Sequence, residues 1–254
     1  MNVSFASPDK NFAKAERLIA EASKAGADTA VLPEMWNTGF FPKDNLQSLC
    51  DCDGKAVTER IGKLSSLYNV NIVAGSIANR IENKIYNSSY VFGRNGTFSG
   101  RYDKTHLFSM MNEDKFFEKG SGFLTFEIDG IRCGVIICYD LRFPEVVRYL
   151  ALQGIQILFV AAQWPKVRVE IMKSLLKARA IENQIFAVCC NSCGESGGIT
   201  FGGCSCIIDP FGNVIASAKD YESVISAEID ISAVDNIRKE IDIFSDRRND
   251  LYKL

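Results

Sequence analysis

The chain has 254 residues, of which 47 % are hydrophobic and 24 % charged, with a formal net charge of −2. That balance is ordinary for a soluble globular protein with a sizeable core, and it supplies no global field to draw in nucleic acid or an anionic membrane. No apolar run approaches the ~20 residues of a membrane span. "MNVSFASPDKNF" has neither a basic start nor an apolar signal core, so a cytoplasmic location is expected.

The first helix follows Ser7 or Asp9 as cap, with Phe12, Ala15, Leu18, Ile19 and Ala22 on one face and Gly26 at its end. "ADTAVLP" reads as a buried strand that delivers Glu34. A helix over about 55–68 and the strand "NIVAGSI" come next. A hairpin then runs from "KIYNSSYVFG" through "RNG" to "TFSGRYDK" and delivers Lys104. "IRCGVIIC" is a strand ending on Cys138, followed by a helix from Pro144 with Val146, Val147 and Leu150 inward. After the strand "GIQILFVAA", a helix over about 165–182 puts Ile171, Leu175 and Ala178 on the core face. "QIFAVCC", "CSCIID", "GNVIASA" and "SVISAEI" read as short strands, with "DPFGN" a turn between two of them. "GESGGITFGG" reads as a flexible connector, because it lacks the lysine and following helix of a phosphate-binding loop. A last helix, "ISAVDNIRKEI", precedes a charged tail. With no linker or repeat, residues 1–254 are expected to form one layered α/β domain with a mixed sheet or a pair of sheets.

Nine cysteines, an odd count scattered through apolar text, argue against a secreted disulfide framework. Cys190, Cys193, Cys204 and Cys206 have a spacing that would allow a four-thiolate zinc site. The apolar alternation around Cys189, Cys204 and Cys206 favours packed thiols instead, and no metal is expected. The single histidine, His106, leaves no two-histidine metal site and is expected to be structural rather than a proton carrier.

Three strands each end on a reactive group: Glu34, Lys104 and Cys138. Strand ends are where layered α/β proteins build their sites. Together the three side chains form a hydrolytic set. A carboxylate can accept the thiol proton as sulfur attacks, and a nearby ammonium favours the thiolate and then stabilises the oxyanion. Such a set performs acyl transfer without histidine.

"VLPEMWNTGF", "GRYDKTHLF" and "GVIICYDLRFPE" resemble the three motifs of the nitrilase, or carbon–nitrogen hydrolase, superfamily. They lie in the right order, and "LLKARAIENQIFAVCCN", "FGGCSCIIDPFGN" and "DRRNDLY" extend the resemblance over nearly the whole chain. "AAQWPKVR" before "ARAIENQ" is most similar to the ω-amidase branch, which deamidates 2-oxo acid amides. The resemblance implies a four-layer αββα sandwich that pairs into a homodimer, without organic cofactor or metal. It implies Cys138 as nucleophile, Glu34 as general base and then acid, and Lys104 with the Tyr139 backbone N–H as oxyanion donors. A second glutamate should position the lysine: Glu113 or Glu118, with the spacing to Gly120 favouring Glu113. Trp164 is expected in the core or pocket wall. Arg168 would be a surface charge or a clamp for a substrate carboxylate, and Arg142 would line the site or pair with Asp140 or Glu145.

The expected activity is therefore cysteine-dependent hydrolysis of a small linear amide, with an ω-amide of a 2-oxo dicarboxylic acid preferred as the partner molecule. The alternatives are an N-carbamoyl hydrolase, aliphatic amidase or nitrilase on the same fold, a zinc-binding module, or an inactive binding protein. Related chains begin with a buried strand that ends just before text resembling "NVSFASPDKNF". That strand is missing here, and the natural chain is expected to start upstream of Met1.

Overall fold

The computed structural model describes residues 1–40 and 42–251; Tyr252, the last residue of the tail motif, lies outside them. Helix α1 (Pro8–Lys24) opens on a proline, whose missing N–H is no loss in the first turn. Ser7 occupies the cap position, but its hydroxyl donates to the Phe5 carbonyl rather than capping the helix. The short helices α2 (Leu46–Leu49), α3 (Lys55–Val57) and α4 (Lys63–Tyr68) follow, the last two joined through a π-helical turn, Thr58–Gly62.

The first sheet contains β1 (Thr29–Val31), β2 (Asp51–Cys52), β3 (Asn71–Val73), β4 (Ile77–Ile81), β5 (Lys84–Phe92) and β6 (Phe98–Asp103), ordered β1-β3-β5-β4-β2 with β6 also beside β5. The strand expected over "NIVAGSI" is thus two strands, broken at Ala74–Ser76. Gly75 has φ +56, and a Cβ there would lie 2.0 Å from the Pro33 carbonyl oxygen. This is a close approach that only glycine permits.

The second sheet runs β14-β13-β10-β9-β8-β7, from β7 (Thr125–Ile128), β8 (Ile131–Ile137), β9 (Ile157–Ala162), β10 (Phe186–Asn191), β13 (Cys206–Ile208) and β14 (Val214–Ser217). Its centre, β8-β9-β10, is parallel and buried on both faces, which is why these strands read as unbroken apolar text. Their alternation divides the core. Cys133, Val135, Ile137, Ile157, Phe159 and Ala161 meet Val73, Val91 and Tyr102 of the first sheet. Ile136, Leu158, Val160 and Ala162 face α5 (Pro144–Leu152) and α6 (Val169–Asn183). On the other side α1 packs over the first sheet through Phe12, Ala15, Leu18 and Ile19. Helix, sheet, sheet and helix give the expected αββα sandwich.

Three local expectations are corrected. On α6 the buried positions are Val169, Met172, Leu176, Arg179, Ala180 and Asn183, whereas Ile171 is 45 % exposed and Leu175 and Ala178 only half-buried. The core face carries an arginine and an asparagine that an apolar count passes over; Arg179 donates to the Leu141 carbonyl. "GESGGITFGG" is a hairpin, β11 (Cys193–Ser196) with β12 (Ile199–Gly202), turned by two left-handed glycines at φ +60 and +77.

"SVISAEI" is not a strand. Val224 and Ile229 still touch the core clusters, but 223–229 has no ladder partner among the described residues. It lines a cavity of about 950 Å³ whose other walls include the outer edge of β1. Helix α7 (Ser232–Glu240) follows as expected.

Candidate active site

Glu34, Lys104 and Cys138 come from loops after β1, β6 and β8, so two arrive from the first sheet and one from the second. The Glu34 backbone joins them, because its N–H donates to the Ala162 carbonyl at the end of β9. Ser76 holds the next two residues: its hydroxyl accepts the Met35 N–H and its carbonyl accepts the Trp36 N–H. Lys104 is fixed through its own peptide groups, donating to the Asn87 carbonyl and accepting from the Gly120 N–H.

The side chains meet in a closed ionic cluster. Lys104 Nζ lies 2.9 Å from Glu34 Oε1 and 2.9 Å from each carboxylate oxygen of Glu113. All three residues are at most 1 % exposed. Asn87 Nδ2 donates to Glu34 Oε1 and Glu113 Oε1, and the Phe108 N–H donates to Glu113 Oε2 at 2.7 Å. Glu113 is therefore the glutamate beside the lysine. Glu118 lies at the surface, 3.9 Å from Lys84.

Burial acts against the Lys104 ammonium, but Glu113 and Glu34 outweigh it and hold its pKa well above the usual value. Burial pushes the Glu34 carboxyl up; Lys104 pulls it back and Glu113 raises it again. Burial also pushes the Cys138 thiol well above its ordinary value, the Glu34 charge adds to this, and Lys104 only partly offsets it. Lys104 favours the thiolate, as expected of a nearby ammonium, but burial outweighs it, and the group is held as a thiol. Glu34 is the neighbouring carboxylate, and its Oε2 makes no conventional hydrogen bond among the described residues. The Gln163 backbone N–H points at the sulfur.

Cys138 itself has φ +46, rare for a side-chain-bearing residue, at the first position of a 3-10 turn, Cys138–Arg142. The turn sends the chain away from β8 and leaves the sulfur and the Tyr139 peptide at the strand end. Tyr139 packs between Phe108 and Phe143, with ring centroids 4.9 and 5.3 Å away. Arg168 lies over Phe108 at 5.4 Å, which brings it to the same aromatic rim. Arg142 lies over Trp164 at 5.0 Å instead of pairing with Asp140 or Glu145. Trp164 is 3 % exposed, a core residue with one face under that guanidinium.

His106 stacks on Phe143 and hydrogen-bonds Asp140, outside the Glu34–Lys104–Glu113 cluster. Cys206 pairs across the ladder from Cys189 in the core, and no group of three or more metal-binding side chains is assembled among the described residues. Sequence reasoning missed Asn87, whose only signal is a polar residue inside the apolar alternation of β5. It also saw Asp140 only as a partner for Arg142.

The carbon–nitrogen hydrolase family model matches residues 1–239. The 2-oxoglutaramate amidase of Bacillus subtilis is 41 % identical over 251 residues, spanning 99 % of this chain and 96 % of that protein. An omega-amidase of Xenopus tropicalis is 32 % identical over 96 % of this chain and 92 % of its own. Among solved structures, a CN-hydrolase superfamily protein from Xanthomonas campestris superimposes with TM-score 0.90 at 26 % identity, covering 97 % of this chain and 94 % of the other. That protein carries an arsenic adduct in its active site.

Proposed function

The chain belongs to the carbon–nitrogen hydrolase family and is a hydrolase of non-peptide carbon–nitrogen bonds; from that premise we propose that it is a cysteine amidase acting on the ω-amide of a 2-oxo dicarboxylic acid, such as 2-oxoglutaramate. The observation that carries this reading is the buried Glu34–Lys104–Glu113 cluster set against the Cys138 thiol. In the proposed mechanism, sulfur attacks the amide carbon while Glu34 takes the thiol proton. The oxyanion that forms lies between Lys104 Nζ and the Tyr139 N–H; one such donor is typically worth ~3–4 kcal/mol. Glu34 returns the proton to nitrogen, the C–N bond breaks, and ammonia leaves behind a thioester. Glu34 then draws a proton from water, the hydroxide adds to the thioester, and the carboxylate product departs with the thiol restored. Glu113 holds the ammonium in place throughout.

A substrate carboxylate would meet Arg168 or Arg142 at the aromatic rim, since guanidinium pairs with carboxylate in a two-pronged geometry. Residues 1–254 act in this reading as one catalytic domain, supported by the shared core between the sheets. Homodimerisation belongs to the same proposal, supported by Tyr149, Val167, Ile171 and Ile181, exposed apolar residues on or beside α5 and α6. So does a cytoplasmic location, where nine unpaired thiols would stay reduced; no described helix is long and apolar enough to cross a membrane.

The test is ammonia release from a panel of ω-amides, N-carbamoyl compounds, aliphatic amides and nitriles, by the parent and by Cys138→Ala. The 2-oxo acid ω-amide should be the best substrate and the variant inactive. Turnover surviving in Cys138→Ala would refute the mechanism, and a preference for ureido compounds or nitriles would refute the substrate.

A further inference from the structure

Asp140 is fully buried, two residues beyond the nucleophile, and accepts five hydrogen bonds on its two oxygens. Oδ2 takes the Ile137 N–H at 3.0 Å and the Tyr102 hydroxyl at 2.7 Å. Oδ1 takes the His106 N–H at 3.0 Å, the His106 ring at Nδ1 at 2.9 Å and the Thr105 hydroxyl at 3.1 Å. Tyr102 precedes Lys104 by two residues, and Thr105 and His106 follow it directly. Ile137 is the residue before Cys138. One carboxylate thus ties both flanks of Lys104, on the first sheet, to the turn that carries Cys138, on the second.

We propose that Asp140 is the positioning residue that sets the separation between the Lys104 ammonium and the Cys138 sulfur. This rests on the roles assigned above to those two groups.

The arrangement calls for a carboxylate. Backbone N–H groups approach its two oxygens from different segments, and each can only donate. An asparagine supplies one acceptor and one donor, so its NH2 would face either Ile137 N–H or His106 N–H. The Tyr102 hydroxyl stays protonated, because burial and then the Asp140 charge raise its pKa well above the usual value, and so it donates steadily. The left-handed Cys138 needs such bracing, since strained backbone persists only where its surroundings over-determine it. Without the clasp, the lysine loop and the nucleophile turn can drift apart. A shift of about 1 Å between catalytic groups can cost ~10²-fold in rate.

The experiment compares amide turnover with alkylation of Cys138 by iodoacetamide in Asp140→Asn. Alkylation forms a C–S bond at a tetrahedral carbon, releases iodide and passes the thiol proton to base. It needs the thiol but no oxyanion donor. The expected result is a kcat loss of ~10²-fold with KM and the alkylation rate each changed by less than about 5-fold.

Tyr102→Phe, which removes one donor and keeps the ring, should show the same split with a loss of about 10-fold; if Asp140→Asn does not fold, this variant decides. A kcat within about 3-fold of the parent in a folded variant overturns the proposal, as does a parallel fall in turnover and alkylation, the mark of a merely structural role. The underlying mechanism fails separately, through a Cys138→Ala enzyme that still releases ammonia.

Discussion

Replacing Glu113 with glutamine isolates the contribution of the second carboxylate to the ionic cluster. In the native site Glu113 receives the Lys104 ammonium on both oxygens, the Asn87 amide on Oε1 and the Phe108 N–H on Oε2. Glutamine offers one acceptor, so its NH2 must face either Phe108 N–H or Asn87 Nδ2, with the ammonium close by. At least one buried donor then loses a charged acceptor, at a cost of about 1.5–3 kcal/mol. The ammonium keeps Glu34 as counterion, so the much larger penalty for an isolated buried charge does not apply. For a chain of this size each kcal/mol lowers Tm by about 2–4 °C, giving an expected fall of about 3–12 °C.

The same change removes the Glu113 charge that raises the Glu34 pKa. Glu34 becomes a weaker base committed to Lys104, so kcat should fall by ~10²-fold. The acid limb of the pH–rate profile should move to lower pH. Thermal unfolding followed by circular dichroism, together with pH profiles of ammonia release, would measure both effects. An unchanged Tm and an unmoved acid limb would refute this account of the cluster.

In the parent enzyme, burial holds the Glu34 carboxyl protonated to higher pH than its ordinary value of 4.5. Turnover should therefore be lost as pH falls through a limb that lies above 4.5, and a limb at or below it would contradict Glu34 as base. His106→Asn should keep kcat within about 10-fold, because Asp140 retains its other donors; a loss of 10³-fold with native stability would bring the imidazole into proton transfer. Arg168→Ala should lower kcat/KM about 10–100-fold for carboxylate-bearing amides and little for neutral ones; equal losses would remove Arg168 from substrate recognition. Gly75→Ala should destabilise by about 1–3 kcal/mol and slow turnover, since its Cβ would push on the Pro33 carbonyl beside Glu34. An unchanged denaturation midpoint and kcat would show that this loop yields freely.

The sequence by itself determined the layers and singled out Glu34, Lys104 and Cys138 as candidates. The apolar runs of β8, β9 and β10 are legible because strands buried on both faces admit little else. Glu34, Lys104 and Cys138 are legible because each closely follows a strand and belongs to a long motif. The choice between Glu113 and Glu118 turned on tertiary structure, since both sit in one short charged stretch and only the fold carries one of them to Lys104 Nζ. The state of the thiol was likewise beyond the sequence, which supplies the neighbouring ammonium but not the degree of burial that outweighs it. The face of α6 was misjudged because Arg179 and Asn183 are buried on it, each donating to a backbone carbonyl, which an apolar stripe cannot reveal. Residues 223–229 alternate like a strand, yet a strand needs a ladder, and they pair with no other described segment. Asp140 is an ordinary carboxylate in one dimension. Only the meeting of two sheets brings Tyr102, Thr105, His106 and Ile137 around it, because hydrogen bonds between segments distant in sequence exist only once the chain has folded.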